Sequence, residues 1–201
     1  MRFLKFIFTF TLFCSAFIGD YIVFKSKYSD SQLFRAFTDS LVHGAIGFLS
    51  SAVFFSHKLN VSTQTCILSV IICTLVSSAI DIDHVFVAKS LQIKDLLTPN
   101  RRGIFHCTTF WILIVSILYA YSFITKNIKI CIFTDMLLLA FSSHHIRDAS
   151  RRGLWVYPYG HTPPINRHLY IFLLSVVPNI LAYVYKMKRD YFTEIVEYTI
   201  V

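Results

Sequence analysis

The stretch Ser78–Phe86, SAIDIDHVF, places Asp81, Asp83 and His84 at the end of a run that has been apolar since Cys66. Three further clusters carry the same side-chain types: Asp39 with His43, Arg102 with His106, and His144 and His145 with Asp148. Imidazole and carboxylate together suit Zn²⁺, Mn²⁺ or Fe, and the lack of thiolate in the clusters argues against a Cys-rich structural zinc site. Asp81 and His84 are three residues apart, and His144 and Asp148 four apart, so each pair can share one helical face. Their neighbours Asp83 and His145 point elsewhere on such a helix, which leaves one member of each neighbouring pair as a spectator or supporting group. The donors exceed the four of a tetrahedral site, leaving room for two ions or for an open position that holds water.

The elements that must position these residues are membrane spans. Of 201 residues, 55% are hydrophobic, 20 are Phe and only 15% are charged; soluble proteins carry about 25% charge. Mean hydropathy is +0.60. A span needs about 20 apolar residues, and six windows qualify: Phe3–Phe24, Phe34–Phe55, Val61–Ala79, Phe105–Ile124, Ile128–Ile146 and Leu169–Met187. The expected fold is an all-α, multi-pass transmembrane bundle forming a single membrane domain over residues 1–201. The first window also fits a signal peptide, but its apolar run continues past any small-residue cleavage site through Ile22 and Val23, favouring a retained anchor. Consecutive loops alternate sides, and all four clusters border the first, third and fifth loops, so six spans bring them to one face.

Composition excludes other classes. The net charge of +8 is scattered over every loop, Lys94 and Arg101 included, rather than gathered on a stripe, so a nucleic-acid partner is not expected. The five Cys form no Cys-x-x-Cys pair and read as small core residues. His57, His161 and His168 lie in loops without ligand-spaced partners and are expected to face solvent. Asp135 reads as an edge residue on the far side, and Arg151 and Arg152 as contacts to lipid phosphates.

Four segments, VHGAIG, IDIDHV, RRGIFH and SSHHIRDASRRGLWVYP, resemble in order the four motifs of the YdjM-like family of membrane-bound metal-dependent hydrolases, and look closest to its animal branch, the transmembrane protein 267 family. The resemblance spans Val42 to Pro158 and falls on His43, Gly47, Asp81, Asp83, His84, Arg102, Gly103, His106, His144 and Asp148. Three positions depart from it: Ile80 stands in place of Pro, Arg101 in place of His and Phe105 in place of Thr.

The constellation and the resemblance together imply a hydrolase using one or two divalent ions, zinc or manganese, on a lipid or other phosphoester. His43, Asp83, His84, His106, His144 and Asp148 are the expected ligands. Asp81 is the expected general base or bridging ligand, and Arg102 the group that grips a phosphate. The bilayer is the expected partner. The departures at Arg101 and Phe105 motivate an alternative, a catalytically silent protein that retains the cluster for folding or for partner binding. A small metal or proton transporter is a further alternative, but it calls for polar residues through the bilayer's depth, and Cys107–Tyr121 contains no charge.

Overall fold

Apolar windows of membrane length become helices because backbone in hydrocarbon must satisfy its own hydrogen bonds. The computed structural model describes residues 2–89, Asp95 and residues 102–200. Lys94 and the family departure Arg101 lie outside the described residues. In chain order the elements are α1 (Arg2–Lys25), α2 (Gln32–Phe55), α3 (Thr63–Ala79), a 3₁₀ turn (Ile80–Ile82) running into α4 (Asp83–Ala88), a second 3₁₀ turn (Ile104–His106), α5 (Thr108–Ile124), α6 (Ile128–Arg152) and α7 (Arg167–Ile200). Between α6 and α7, Trp155–Val156 (β1) pairs antiparallel with Gly160–His161 (β2).

The protein is an all-α, multi-pass membrane bundle. Phe3–Lys25, Gln32–Phe55, Thr63–Ala88 and Arg167–Phe192 are long and apolar enough to cross a membrane, and Thr108–Ile124 is a shorter apolar helix. The bundle's outward faces are apolar, with Phe3, Phe37, Leu75, Leu113 and Tyr183 all exposed. Helix α6 is different. It packs against α2, α3, α5 and α7, and its buried Asp135, His144, His145 and Arg147 face those neighbours instead of lipid. α7 continues through the basic stretch Lys186–Arg189 as one helix.

Helix starts follow from side-chain caps: Ser31, Ser62 and Asn127 each accept a backbone N–H of the first turn of α2, α3 and α6. Around α6, Met136, Leu139 and Ala140 pack with Phe54, Cys73 and Tyr185 at one end. Leu12 and Ala16 of α1 pack with Ile46, Val53, Tyr170 and Leu174. The α2–α3 contact depends on Gly47, where an added Cβ would stand 2.7 Å from Ser77 Cβ and 3.0 Å from the Cys73 carbonyl oxygen. Small residues permit such close approach between membrane helices. Gly47→Val is therefore expected to destabilise the protein by about 1–3 kcal/mol, the usual cost of overpacking. Thermal unfolding in detergent checks this, and an unchanged midpoint would show that α3 gives way freely.

Candidate metal centre

Local structure prepares the cluster. The helical segment carrying the first carboxylates tightens to 3₁₀ at Ile80–Ile82 before resuming as α4. At three residues per turn, residues i and i+3 eclipse, which lines Asp81 up with His84. Ile80 is buried against a cluster with Val115 and Phe141 and anchors that turn. Lys89, at φ 51, ends α4. His106 closes the second 3₁₀ turn. Gly103 precedes it at a point where any Cβ would collide with the Asp83 carboxylate, so glycine lets the two segments meet. His144 and Asp148 sit one turn apart near the end of α6.

The side chains converge on one centre. Asp81, His106, His144 and Asp148 each offer a donor atom, all within 4.8 Å of one another. His106 Nε2 lies 3.2 Å from Asp81 Oδ1 and 3.6 Å from Asp148 Oδ2. His144 Nε2 lies 3.5 Å from Asp81 Oδ1 and 3.7 Å from Asp148 Oδ2. His43 stacks on His144 with ring centroids 3.7 Å apart, and its Nε2 is 3.5 Å from Asp148 Oδ1. The Nε2 atoms of His43, His106 and His144 are buried and have no hydrogen-bond partner. Buried polar atoms in folded proteins are nearly always paired, and here three imidazole nitrogens without hydrogen-bond partners stand beside two carboxylates, a donor set that could hold a metal ion.

Supporting bonds aim those nitrogens. His106 Nδ1 lies 3.1 Å from both oxygens of Asp83, and the Phe105 N–H donates to Asp83 Oδ2 at 3.0 Å. His144 Nδ1 donates to the Ser77 carbonyl at 2.8 Å. The Ser77 hydroxyl in turn donates to the His43 carbonyl at 3.0 Å, tying α2, α3 and α6 together. Bonding Nδ1 in this way directs Nε2 inward, the usual support for a metal-ligating histidine.

His106 lies in the turn ahead of α5, outside the membrane-spanning helices. Burial alone would lower its pKa, but the carboxylates of Asp148, Asp81 and Asp83 outweigh that effect and push the imidazole up to about 11. A proton must leave Nε2 before it can donate to a metal, so uptake strengthens as pH rises and weakens as it falls. Metal affinity measured at pH 6 and pH 8 should be clearly higher at pH 8. Equal affinities would remove His106 Nε2 from the ligand set.

The expected site residues divide into two tiers. Asp81, His106, His144 and Asp148 surround the shared centre, with His43 beside it. Asp83 stands behind His106, against Nδ1. His84 Nε2 is 3.9 Å from Asp81 Oδ1 and 4.0 Å from Asp83 Oδ1, and its side chain is 21% exposed. Asp83, His84 and His106 form a second close triple. His145 is turned away, with Nε2 donating to the Phe105 carbonyl at 2.9 Å and Nδ1 accepting from the Thr108 hydroxyl at 3.2 Å. Phe105 reaches Asp83, His145 and Trp111 through its backbone. Arg102 Nη1 donates to the Gly153 carbonyl at 2.9 Å, while its Nη2 is buried without a partner.

Several residues depart from their sequence-based expectations. Arg151, expected at lipid phosphates, pairs with Asp148 and also with Asp39 at 3.4 Å. His57, expected in solvent, is buried at the end of α2, 2.8 Å from Asn179 of α7. Asp135, expected at an edge, is fully buried and bonds Lys188 and the Tyr119 hydroxyl, each at 2.7 Å. Arg147 was absent from the expected site. It is buried beside the cluster, with Nη1 2.6 Å from Asp39 Oδ1 and Nε 3.1 Å from Asp20 Oδ1. Asp20, a lone carboxylate in an apolar window, was the signal that a buried cation had to exist.

Over the centre lies a cavity of about 210 Å³ whose floor includes Asp81, His84, His106 and Asp148 and whose rim carries Arg35, Arg102, Arg151 and Arg152. Val23, Phe24 and Val85 form its apolar wall.

Comparison with known proteins gives consistent relatives. The chain is 31% identical over 174 residues to transmembrane protein 267 of Bos taurus, covering 86% of this chain and 78% of that protein. It is 33% identical over 150 residues to transmembrane protein 267 of Mus musculus, covering 74% and 68%. For the protein of that name in Danio rerio the identity is 30% over 184 residues, covering 87% and 80%. No family profile and no solved structure matches the chain.

Proposed function

The chain belongs to the transmembrane protein 267 family, and from that multi-pass membrane setting we propose that it is a metal-dependent hydrolase working on a lipid or other phosphoester, as its resemblance to the YdjM-like hydrolases implies. The observation that supports this reading is the convergence of the orphaned Nε2 atoms of His43, His106 and His144 on Asp81 and Asp148. Two to three nitrogens with two carboxylates suit zinc or manganese better than a soft, thiolate-seeking ion.

A divalent ion held there would act as a Lewis acid and bring the pKa of a water to about 7. The chain's own residues do the rest. His106 and His144 would hold such an ion through Nε2, and Asp81 and Asp148 through one carboxylate oxygen each, while Asp83 bonds His106 Nδ1 and keeps it in register. His84, facing the cavity with its ring stacked 5.0 Å from His106, is placed to carry a proton at Nε2 between the centre and the leaving group. Arg102, which lines the cavity, offers its guanidinium to an anionic oxygen.

Transport is the weaker reading, because Asp135, the buried carboxylate in the first half of α6, is separated from the centre by the packed Met136, Leu139 and Ala140. Elemental analysis of the purified protein tests the proposal. About one or two equivalents of zinc or manganese per chain are expected, and a metal-free protein that stays metal-free after dialysis against both ions ends it.

A further inference from the structure

The metal centre leaves the arginines above it unexplained. The cavity is lined by Arg35, Arg102, Arg151 and Arg152 against Asp39, Asp81 and Asp148. Arg151 is committed to Asp148 and Asp39 and lies over the Phe24 ring at 4.6 Å. Among the described residues, no carboxylate pairs with Arg35, Arg102 or Arg152. Arg102 is fixed by its bond to Gly153, whose φ of 69 turns the carbonyl toward it. Its second amino group is buried and unpartnered. A guanidinium nitrogen taken from water without an acceptor is costly, so an anionic acceptor is favoured at this arginine.

We propose that this arginine rim is a subsite for the dianion of a phosphate monoester, whose phosphoryl oxygens meet the guanidinium groups of Arg102, Arg152 and Arg35 above the His/Asp floor. Three unpaired cations match a group carrying about two charges at neutral pH with three strong acceptor oxygens. A phosphodiester carries one charge and leaves the rim under-compensated. The volume of about 210 Å³ is below the 300–1,000 Å³ of pockets that engulf a drug-sized ligand. The subsite therefore takes the phosphate and the atoms next to it, while the rest of the molecule lies along Val23, Phe24 and Val85. That wall accepts either a lipid chain or the apolar part of a soluble monoester.

The inference rests on the proposed hydrolase only in naming the same cavity, and its test separates the two. Binding of phenyl phosphate and of methyl phenyl phosphate to the full-length protein in detergent is measured by calorimetry, with metal content determined on the same samples. Phenyl phosphate should bind at least 10-fold more tightly than the diester. Arg102→Gln and Arg152→Gln should each weaken it about 10-fold or more while metal content stays at the unsubstituted level. Equal affinity for the two esters, or an affinity indifferent to both substitutions, overturns the subsite whatever the metal content. Loss of metal with preserved, arginine-dependent phenyl phosphate binding would leave the subsite standing and remove the hydrolase. Phosphatidylcholine vesicles containing 10% phosphatidic acid assign the source: competition with phenyl phosphate supports a lipid monoester at the rim, and its absence supports a soluble one.

Discussion

Alanine at His106 is expected to reduce metal affinity by more than about 100-fold and to abolish turnover of any phosphoester substrate. The estimate follows from its two attachments. Nε2 is one of four donors around the centre, and Nδ1 connects that centre to Asp83. Loss of a supporting partner alone typically costs about 10–100-fold in metal affinity, so Asp83→Asn should fall in that range and His106→Ala beyond it. The clearest readout is thermal. A ligand at 100 times its dissociation constant stabilises the folded state by about 2.7 kcal/mol, so added zinc or manganese should raise the unfolding midpoint of the unsubstituted protein in detergent. It should do so less for Asp83→Asn and not at all for His106→Ala combined with His144→Ala. A catalytically silent cluster kept only for folding predicts something else, a lower midpoint for His106→Ala without metal and no metal-dependent rise in either protein. Identical metal-induced shifts in all three proteins would sink both readings.

The helices and the end of the bundle at which the site sits were legible because both follow from one-dimensional patterns. Apolar windows of span length give the helices, and alternation of loops sends the clusters to a common face. The split of labour between Asp81 and Asp83 was not legible. Spacing along a helix shows which residues share a face, and here the decision is made by a 3₁₀ turn at Ile80–Ile82 and by a second turn crossing from Gly103 to His106 to meet Asp83. Both are tertiary facts. Arg151 was misread and Arg147 passed over for a related reason: a basic residue beyond a span's end is ordinarily a headgroup contact, and only the continuation of α6 to Arg152 buries Arg147 and brings Arg151 to Asp39 and Asp148. The central position of α6 was hidden because a hydropathy window averages the face packed on neighbours with the face turned to lipid. Phe105 looked damaging as a departure from Thr, yet its role in holding Asp83 and His145 passes through the backbone, which any residue but proline supplies.

The second large effect is structural and lies one layer outside the centre. Arg147 is 1% exposed and stands between Asp20 of α1 and Asp39 of α2, while the Tyr170 hydroxyl of α7 donates to Asp20. One guanidinium thus joins four helices. The Nη1–Asp39 approach of 2.6 Å lies off the hydrogen-bond axis, so the attraction there is mainly charge on charge. Removing one partner from a buried ion pair commonly costs about 3–5 kcal/mol, because the other charge is left in a poor solvent. Arg147→Met leaves Asp20 with only the Tyr170 hydroxyl and Asp39 with only the longer Arg151 pair, and should approach that range. It should also disturb the centre, since Asp39 Oδ1 is already 4.0 Å from His43 Nε2 and, once freed of Arg147, draws on that imidazole. Neutralising the whole group separates lost charge balance from lost packing. The triple variant Arg147→Met, Asp20→Asn, Asp39→Asn keeps the shapes and removes the stranded charges, so it should recover most of the stability lost by Arg147→Met alone. Denaturation in mixed detergent micelles measures all three proteins on one scale. If the triple variant is no more stable than the single one, Arg147 acts through its packing; if Arg147→Met matches the unsubstituted protein within about 0.5 kcal/mol, the value typical of unimportant surface positions, the guanidinium does not hold α1 to the bundle.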